Sequence, residues 1–254
     1  MDIMELTAGP TWQAVDFISD LHLQVNEPAT FHAWQRYMQT TPADAVFILG
    51  DLFEVWVGDD VLQAQGFEHQ CAQVIAQTAA RVPTFFMHGN RDFLVGNGLM
   101  AACNTTLLND PTVLSFNNQR WLLSHGDALC LDDTAYMAFR LQVRSVGWQQ
   151  AFLAKPLAER QAIARGLRQQ SEARKISGAK YADVCAQAAK QLLLQANAST
   201  LIHGHTHQPA THDLNNGLQR VVLTDWDATA TPPRAEVLRL SSTGLQRIPF
   251  INLL

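Results

Sequence analysis

The chain has 254 residues, 47% of them hydrophobic, and a formal net charge of −5. That size can bury one substantial core, while no unbroken apolar run approaches the roughly 18 residues needed to cross a bilayer. The first residues, Met1 to Trp12, carry acids and Pro10 without a basic start, and Cys71, Cys103, Cys130 and Cys185 lie far apart. These features exclude a signal peptide and a disulfide frame as expectations, leaving a cytoplasmic protein with reduced structural thiols.

In chain order, brief runs rich in β-branched and aromatic residues predict strands at Ala14–Ile18, Ala45–Leu49, Thr84–Met87, 121–124, 200–202 and 220–224. Helical spacing of apolar residues predicts helices at 29–40, 66–81 and 182–196, with Pro28 near the first start and Pro83 just past the second end. Residues 136–178 lack strand signals and read as helices inserted into the series. Apolar runs at 236–240 and 245–248 flank the turn Ser-Ser-Thr-Gly and predict a hairpin. We therefore expect a domain over residues 14–254, a helical cap inserted at 134–180, and an extension at 1–13.

Each of the first five strands ends in a candidate metal ligand. Asp20 and His22 follow the first, Gly50 and Asp51 the second, and Gly-Asn-Arg-Asp at 89–92 the third. His125, Gly126 and Asp127 follow the fourth, and His203, Gly204 and His205 the fifth. In α/β sheets the loops beyond the carboxyl ends of strands form the ligand crevice, so ligands scattered along the sequence can meet. Asp20, Asp51 and Asn90 offer hard oxygens, while His22, His125, His203 and His205 offer imidazole nitrogens. That mixture suits Mn²⁺, Fe²⁺ or Zn²⁺ better than Ca²⁺. The absence of cysteine from the set argues against a structural zinc site.

The inserted stretch differs from the rest in charge. Residues 134–195 hold ten Lys or Arg against three acids, a net +7 that leaves −12 for the remainder. A solvated helix face accounts for such a run, as does an anionic substrate or membrane surface. Phe139, Leu141, Val143, Val146, Trp148, Phe152, Leu153, Leu157, Ile163 and Leu167 lie among these bases. They form either the core of a helical hairpin or an apolar pocket.

The order Asp-x-His, Gly-Asp, Gly-Asn-Arg-Asp, His-Gly-Asp, His-Gly-His resembles the calcineurin-like metallophosphoesterase superfamily over residues 17–207. The resemblance implies an α/β fold, a four-layer α/β/β/α sandwich with a helical insertion. It also implies two divalent metal ions, one held by Asp20, His22 and His205, the other by Asn90, His125 and His203, with Asp51 between them. The runs at 17–22, 48–54, 56–59, 88–94, 132–133 and 203–207 are similar to the UDP-2,3-diacylglucosamine diphosphatases of the lipid A pathway. For that family the implied reaction is water attack on the α-phosphorus of the UDP-linked diacylated glucosamine, giving UMP and 2,3-diacylglucosamine 1-phosphate, usually with Mn²⁺. Asp51, Asn90, Arg91 and His125 would serve catalysis. Substrate contacts would fall on Asn90, Arg91, Asp133, Ser171, Lys175 and His203.

Most members of the superfamily carry His where Arg91 stands. Arg91 cannot donate a proton at neutral pH, but its guanidinium can grip a pyrophosphate in bidentate fashion. A phosphomonoester leaving group needs less help from an acid than an alkoxide, which favours a pyrophosphate substrate. A phosphodiesterase or pyrophosphatase of the same fold acting on a soluble nucleotide is the alternative, and a non-catalytic binding scaffold stands third. The lipid substrate implies peripheral, reversible contact with the cytoplasmic face of the inner membrane, with no nucleic acid and no obligate protein partner expected. Among the other histidines, His32, His69 and His212 read as surface residues, His88 as core, and His207 as near the metals without ligating. Asp92 and Asp127 read as groups that orient ligands.

Overall fold

A computed structural model of the chain describes residues 3–176 and 182–249, with backbone alone for 170–176. In chain order its elements begin β1 (Met4–Thr7), β2 (Ala14–Ile18), α1 (Pro28–Thr40), β3 (Ala45–Leu49), α2 (Phe67–Ala79), β4 (Thr84–Met87), α3 (Asn97–Cys103), β5 (Thr106–Leu108), β6 (Thr112–Phe116) and β7 (Gln119–Leu123). There follow α4 (Thr134–Val143), α5 (Val146–Leu153), α6 (Leu157–Ile176), α7 (Ala186–Gln195), β8 (Thr200–His203), β9 (Thr211–Asp213), β10 (Gln219–Val222), β11 (Glu236–Ser241) and β12 (Gly244–Pro249).

The two-residue side-chain period of the strands creates the layers. Val15, Phe17, Ala45, Phe47, Leu49, Phe85 and Met87 enter one cluster with Leu114, Trp121, Leu123, Ile202 and Val221 of the facing sheet. Their neighbours Ile18, Val46, Ile48 and Phe86 point the other way, into a cluster with Phe31, Trp34, Val74, Ile75 and Leu99 of α1 to α3. On the far side, Val113, Leu122 and Leu201 pack against Ala189 and Leu193 of α7. The expected α/β/β/α arrangement is thus what the chain adopts. Phe17 and Phe47 are fully buried between the sheets, each contributing about 1.5–3 kcal/mol by burial, and Phe47 stacks on Phe85 at 4.7 Å between ring centroids.

The first sheet has the strand order β12-β11-β2-β3-β4-β5 and the second β1-β6-β7-β8-β10-β9. Within them β2, β3 and β4 run parallel, as do β7, β8 and β10. Their carboxyl ends therefore open at one edge of each sheet. A buried charge ties the first sheet to its helix layer: Asp16 accepts from Arg239 Nε at 2.7 Å and Nη2 at 2.9 Å, from Thr41 at 2.8 Å and from Tyr37 at 3.1 Å.

The stretch read as an extension carries β1, which pairs in parallel with β6. β1 and β9 lie at sheet edges and β5 has three residues, so none offers the apolar run that marks a buried strand. The insert is helical, with Asp133 and Ser145 capping α4 and α5 through their side chains. Its apolar residues divide. Val143 and Phe152 are buried, and Trp148, Leu157 and Ile163 pack partly on the helix-layer core. Phe139, Leu141, Val146, Leu153 and Leu167 are exposed.

Candidate metal centre

The loops after β2, β3, β4, β7 and β8 are stitched together by backbone bonds before any side chain acts. Asp20 N–H donates to Gly50 C=O, Leu21 and His22 N–H to Asp51 C=O, and Gly204 N–H to His125 C=O. Asp92, fully buried, accepts from the N–H groups of Gly89 and Leu52 at 2.8 Å and of Asp51 at 3.2 Å, fixing two of these loops to each other. Asp20, His22, Asp51, His205 and His207 all hold left-handed backbone with φ between 48° and 69°. Non-glycine residues seldom do so, and a cluster of them at one place stores strain in the manner of functional sites. The close approach leaves no room for a Cβ at Gly89, which would meet the backbone and carboxylate of Asp51, or at Gly204, which would meet Ser19 and Asp20.

Two groups of ligand atoms converge among the described residues. Asp20, His22 and His207 form one, and Asp20, Asp51 and His125 the other, each with its atoms within 4.8 Å of one another. Asp20 Oδ1 and His22 Nδ1 are buried without an aligned hydrogen-bond partner. Their nearest charged neighbours are His207 Nε2 at 3.4 Å and Glu54 Oε2 at 3.3 Å respectively. The Asn90 amide faces acceptors, with Oδ1 at 2.8 Å from His205 Nδ1 and 3.1 Å from His125 Nε2. Such a convergence is satisfied by the amide's own NH₂ or by a cation. His125 Nδ1 meets the Leu49 carbonyl at 2.9 Å, which directs Nε2 into the cluster, the usual way a carbonyl sets the orientation of a ligating imidazole.

The electrostatics favour a cation at the same place. Asp20 and Asp51 are 1% exposed and Asp92 and His125 are 0%, so carboxylates crowd together where water cannot screen them. Burial and the Asp51 charge push Asp92 up to about 7. Burial works against charging His125, but Asp51, Asp20 and Asp127 override it and raise the imidazole to about 9. Asp20 is held well below the carboxylate range, burial being outweighed by His207, His125 and His22. Burial lowers His203 and His205 to about 4, helped by Arg220 at the first and His125 at the second. Hard oxygens and imidazole nitrogens packed together, two of them without a hydrogen-bond partner, fit a pair of divalent ions.

Not every expected ligand joins the two groups. His205 approaches Asn90 and stacks on Tyr136 at 5.9 Å. His203 is buried, with Nδ1 at 2.9 Å from Gly204 C=O and Nε2 at 3.4 Å from Arg220. His207 sits nearer the acidic group than its place beyond the motif implied. Arg91 donates through Nη1 to Glu54 at 3.0 Å, with Nε at 3.9 Å from Asp51. Asp133 accepts from Tyr136 N–H at 2.9 Å as the α4 cap. The side chains of Ser171 and Lys175 lie outside the described residues. Asp127 Oδ2 accepts from Tyr136 Oη at 2.6 Å and Arg140 Nε at 2.8 Å, while its Oδ1 is buried without a hydrogen-bond partner.

Several participants escaped the sequence reading. Glu54 stands beside His22, Arg91 and Arg168, and its own run at 48–54 was the only sign of it. Arg144 donates to Gly89 C=O at 2.9 Å and lies 5.2 Å over Phe93. Arg160, counted in the basic run of the insert, is 2% exposed and binds Val57 C=O and the Asp60 carboxylate. The insert's positive charge is thus partly spent on the protein itself.

A family model described as calcineurin-like phosphoesterase matches residues 14–209. A UDP-2,3-diacylglucosamine hydrolase of Chromobacterium violaceum is 45% identical over 250 residues, covering 94% of this chain and 100% of the relative. Its namesake from Ralstonia nicotianae is 43% identical over 255 residues, covering 95% and 93%, and that of Bordetella pertussis 40% over 252 residues, covering 96% of both. Strand-end donors, four-layer fold and these similarities agree: the chain belongs to the calcineurin-like phosphoesterases and, within them, to the UDP-2,3-diacylglucosamine hydrolase family.

Proposed function

We propose that the protein hydrolyses the pyrophosphate bond of UDP-2,3-diacylglucosamine in lipid A biosynthesis. Water attacks the α-phosphorus, the bond from that phosphorus to the bridging oxygen breaks, and UMP and 2,3-diacylglucosamine 1-phosphate leave. The observation that carries this reading is Arg91, standing between the buried donor cluster and a cap with exposed apolar side chains.

Two divalent ions, Mn²⁺ in this proposal, supply Lewis acidity that lowers the pKa of water and offsets charge at the phosphate. Asp20, His22 and His205 would hold one, Asn90, His125 and His203 the other, with Asp51 shared. Arg91 binds phosphoryl oxygens and holds the substrate in line. No protein acid is required, because the departing sugar 1-phosphate is a stable phosphomonoester. The Leu49 carbonyl holds the His125 ring in its orientation.

The cap supplies the lipid side. Phe93, Trp148 and Phe152 form a continuous aromatic series, with ring separations of 6.1 and 4.8 Å, that leads from the Arg91 loop into the insert. Acyl chains would lie along it, with Asp133, Ser171, Lys175 and His203 as further contacts. No helix among the described residues is long and apolar enough to cross a membrane, while Leu141 and Val146 are 78% and 71% exposed. That combination supports reversible association with the cytoplasmic face of the inner membrane.

Purified protein with Mn²⁺ releases UMP from UDP-2,3-diacylglucosamine on this reading, and hydrolysis in ¹⁸O-water places the label in UMP. Label in the sugar phosphate would overturn attack at the α-phosphorus. Equal turnover of UDP-glucosamine lacking acyl chains would favour the soluble-nucleotide alternative.

A further inference from the structure

We infer that Glu54 is a positioning residue that binds Arg91, His22 and the cap helix α6 into one unit, so that aiming the phosphate-gripping guanidinium and seating the cap are a single event. The inference rests on the proposed function only for the identity of the substrate. Glu54 follows β3 by five residues, and its N–H donates to Leu23 C=O at 3.1 Å, which anchors it between the first two ligand loops. Its Oε1 accepts from Arg91 Nη1 at 3.0 Å and from Arg168 Nε at 2.6 Å, while Oε2 lies 3.3 Å from His22 Nδ1. One carboxylate oxygen therefore joins a residue of the Asn90 loop to a residue of α6. Its side chain is 20% exposed, so water only partly screens the three neighbours.

The position of Arg168 on α6 gives the contact mechanical weight. Near the start of that helix Arg160 is locked to Val57 C=O and Asp60. Arg168 lies eight residues further, about 12 Å along the axis. Without the Glu54 charge, two guanidinium groups that share one oxygen face each other across a space of a few ångströms. Like charges at that separation repel, and the exposed middle of α6 is the element free to retreat. Arg91 then loses the acceptor that holds its fork toward the site.

The test uses the full chain with saturating Mn²⁺ and the variants Glu54→Gln, Arg168→Gln and the double. Each single variant is expected to raise KM for UDP-2,3-diacylglucosamine about tenfold, with kcat changed less than about threefold. The double should be no worse than about tenfold, because both changes break the same contact. In an independent readout, Glu54→Gln should speed amide hydrogen exchange in residues 157–169 while α1 and α2 stay at wild-type rates. Multiplicative KM effects in the double, or unchanged exchange in α6, would overturn the inference. If wild-type protein fails to hydrolyse the lipid substrate, the proposed function fails while the exchange measurement still decides the role of Glu54.

Discussion

The strand-end loops and the cap meet at one site but are built on opposite terms. Asp20 and Asp51 are 1% exposed and His125 and His203 are 0%, whereas Leu141 and Val146 of the cap stand 78% and 71% in solvent. In the loops, backbone bonds and carboxylates gather the ligand atoms of each group within 4.8 Å of one another, and strain is tolerated because the two sheets behind are close-packed. The cap is pinned by arginine contacts: Arg140 to Asp127, Arg144 to Gly89, Arg160 to Asp60 and Arg168 to Glu54. Chemistry that needs fixed geometry falls to the first region. The second leaves part of its apolar face in solvent.

The sharpest way to break this contrast is Asp51→Asn, which should lower kcat on the order of 10⁴-fold with an unchanged far-ultraviolet spectrum. Residual activity near wild type would mean that the buried donors do not govern the chemistry. Core truncation comes next. Phe47→Ala between the sheets should cost about 3–5 kcal/mol in urea unfolding, while Leu141→Ala should stay within about 0.5 kcal/mol. Arg160→Ala should cost about 1–2 kcal/mol through its lost carbonyl and carboxylate contacts, and limited proteolysis should cut α6 before the body opens. Smaller again is the pair Leu141→Ser and Val146→Ser, expected to weaken partition onto anionic vesicles about fivefold per residue without moving the urea midpoint.

A further effect concerns pH. Burial and the Asp16 charge raise the Tyr37 hydroxyl well above its ordinary 10.0, so the folded state keeps this proton when the unfolded chain loses it. The stabilisation is complete below pH 10 and is lost as the pH climbs further. Tyr37→Phe should remove up to about 1.4 kcal/mol per pH unit of that alkaline decline, read as a shallower fall in unfolding free energy above pH 10. An identical slope in the variant would show that burial does not retain the proton.

Much of the body was legible because its signals are local. The run Ala45–Leu49 marks β3 by composition, and the turn residues Gly50 and Asp51 say where it ends. Parallel strands then deliver Asp20, Asp51 and Asn90 to one edge of the first sheet and His125 to the carboxyl edge of the second. Glu54, Arg144 and Arg168 were not legible as partners. A glutamate beyond a strand and an arginine 114 positions later carry no mark of each other, and helical periodicity could not separate buried Arg160 from exposed bases. The same limit applies to Leu141 and Phe152, two apolar residues of one insert that ended on opposite sides of the surface.

By itself the sequence determined the central strands, their ends and the chemical types of the donors, since side-chain period and turn chemistry act over a few residues; the four layers were implied only by the family resemblance. Tertiary structure alone decided that His207 joins Asp20 and His22, that His203 faces Arg220, and that Glu54 links α6 to Arg91. Those outcomes depend on which charges come within reach after the sheets pack, a condition written in no local stretch of the chain.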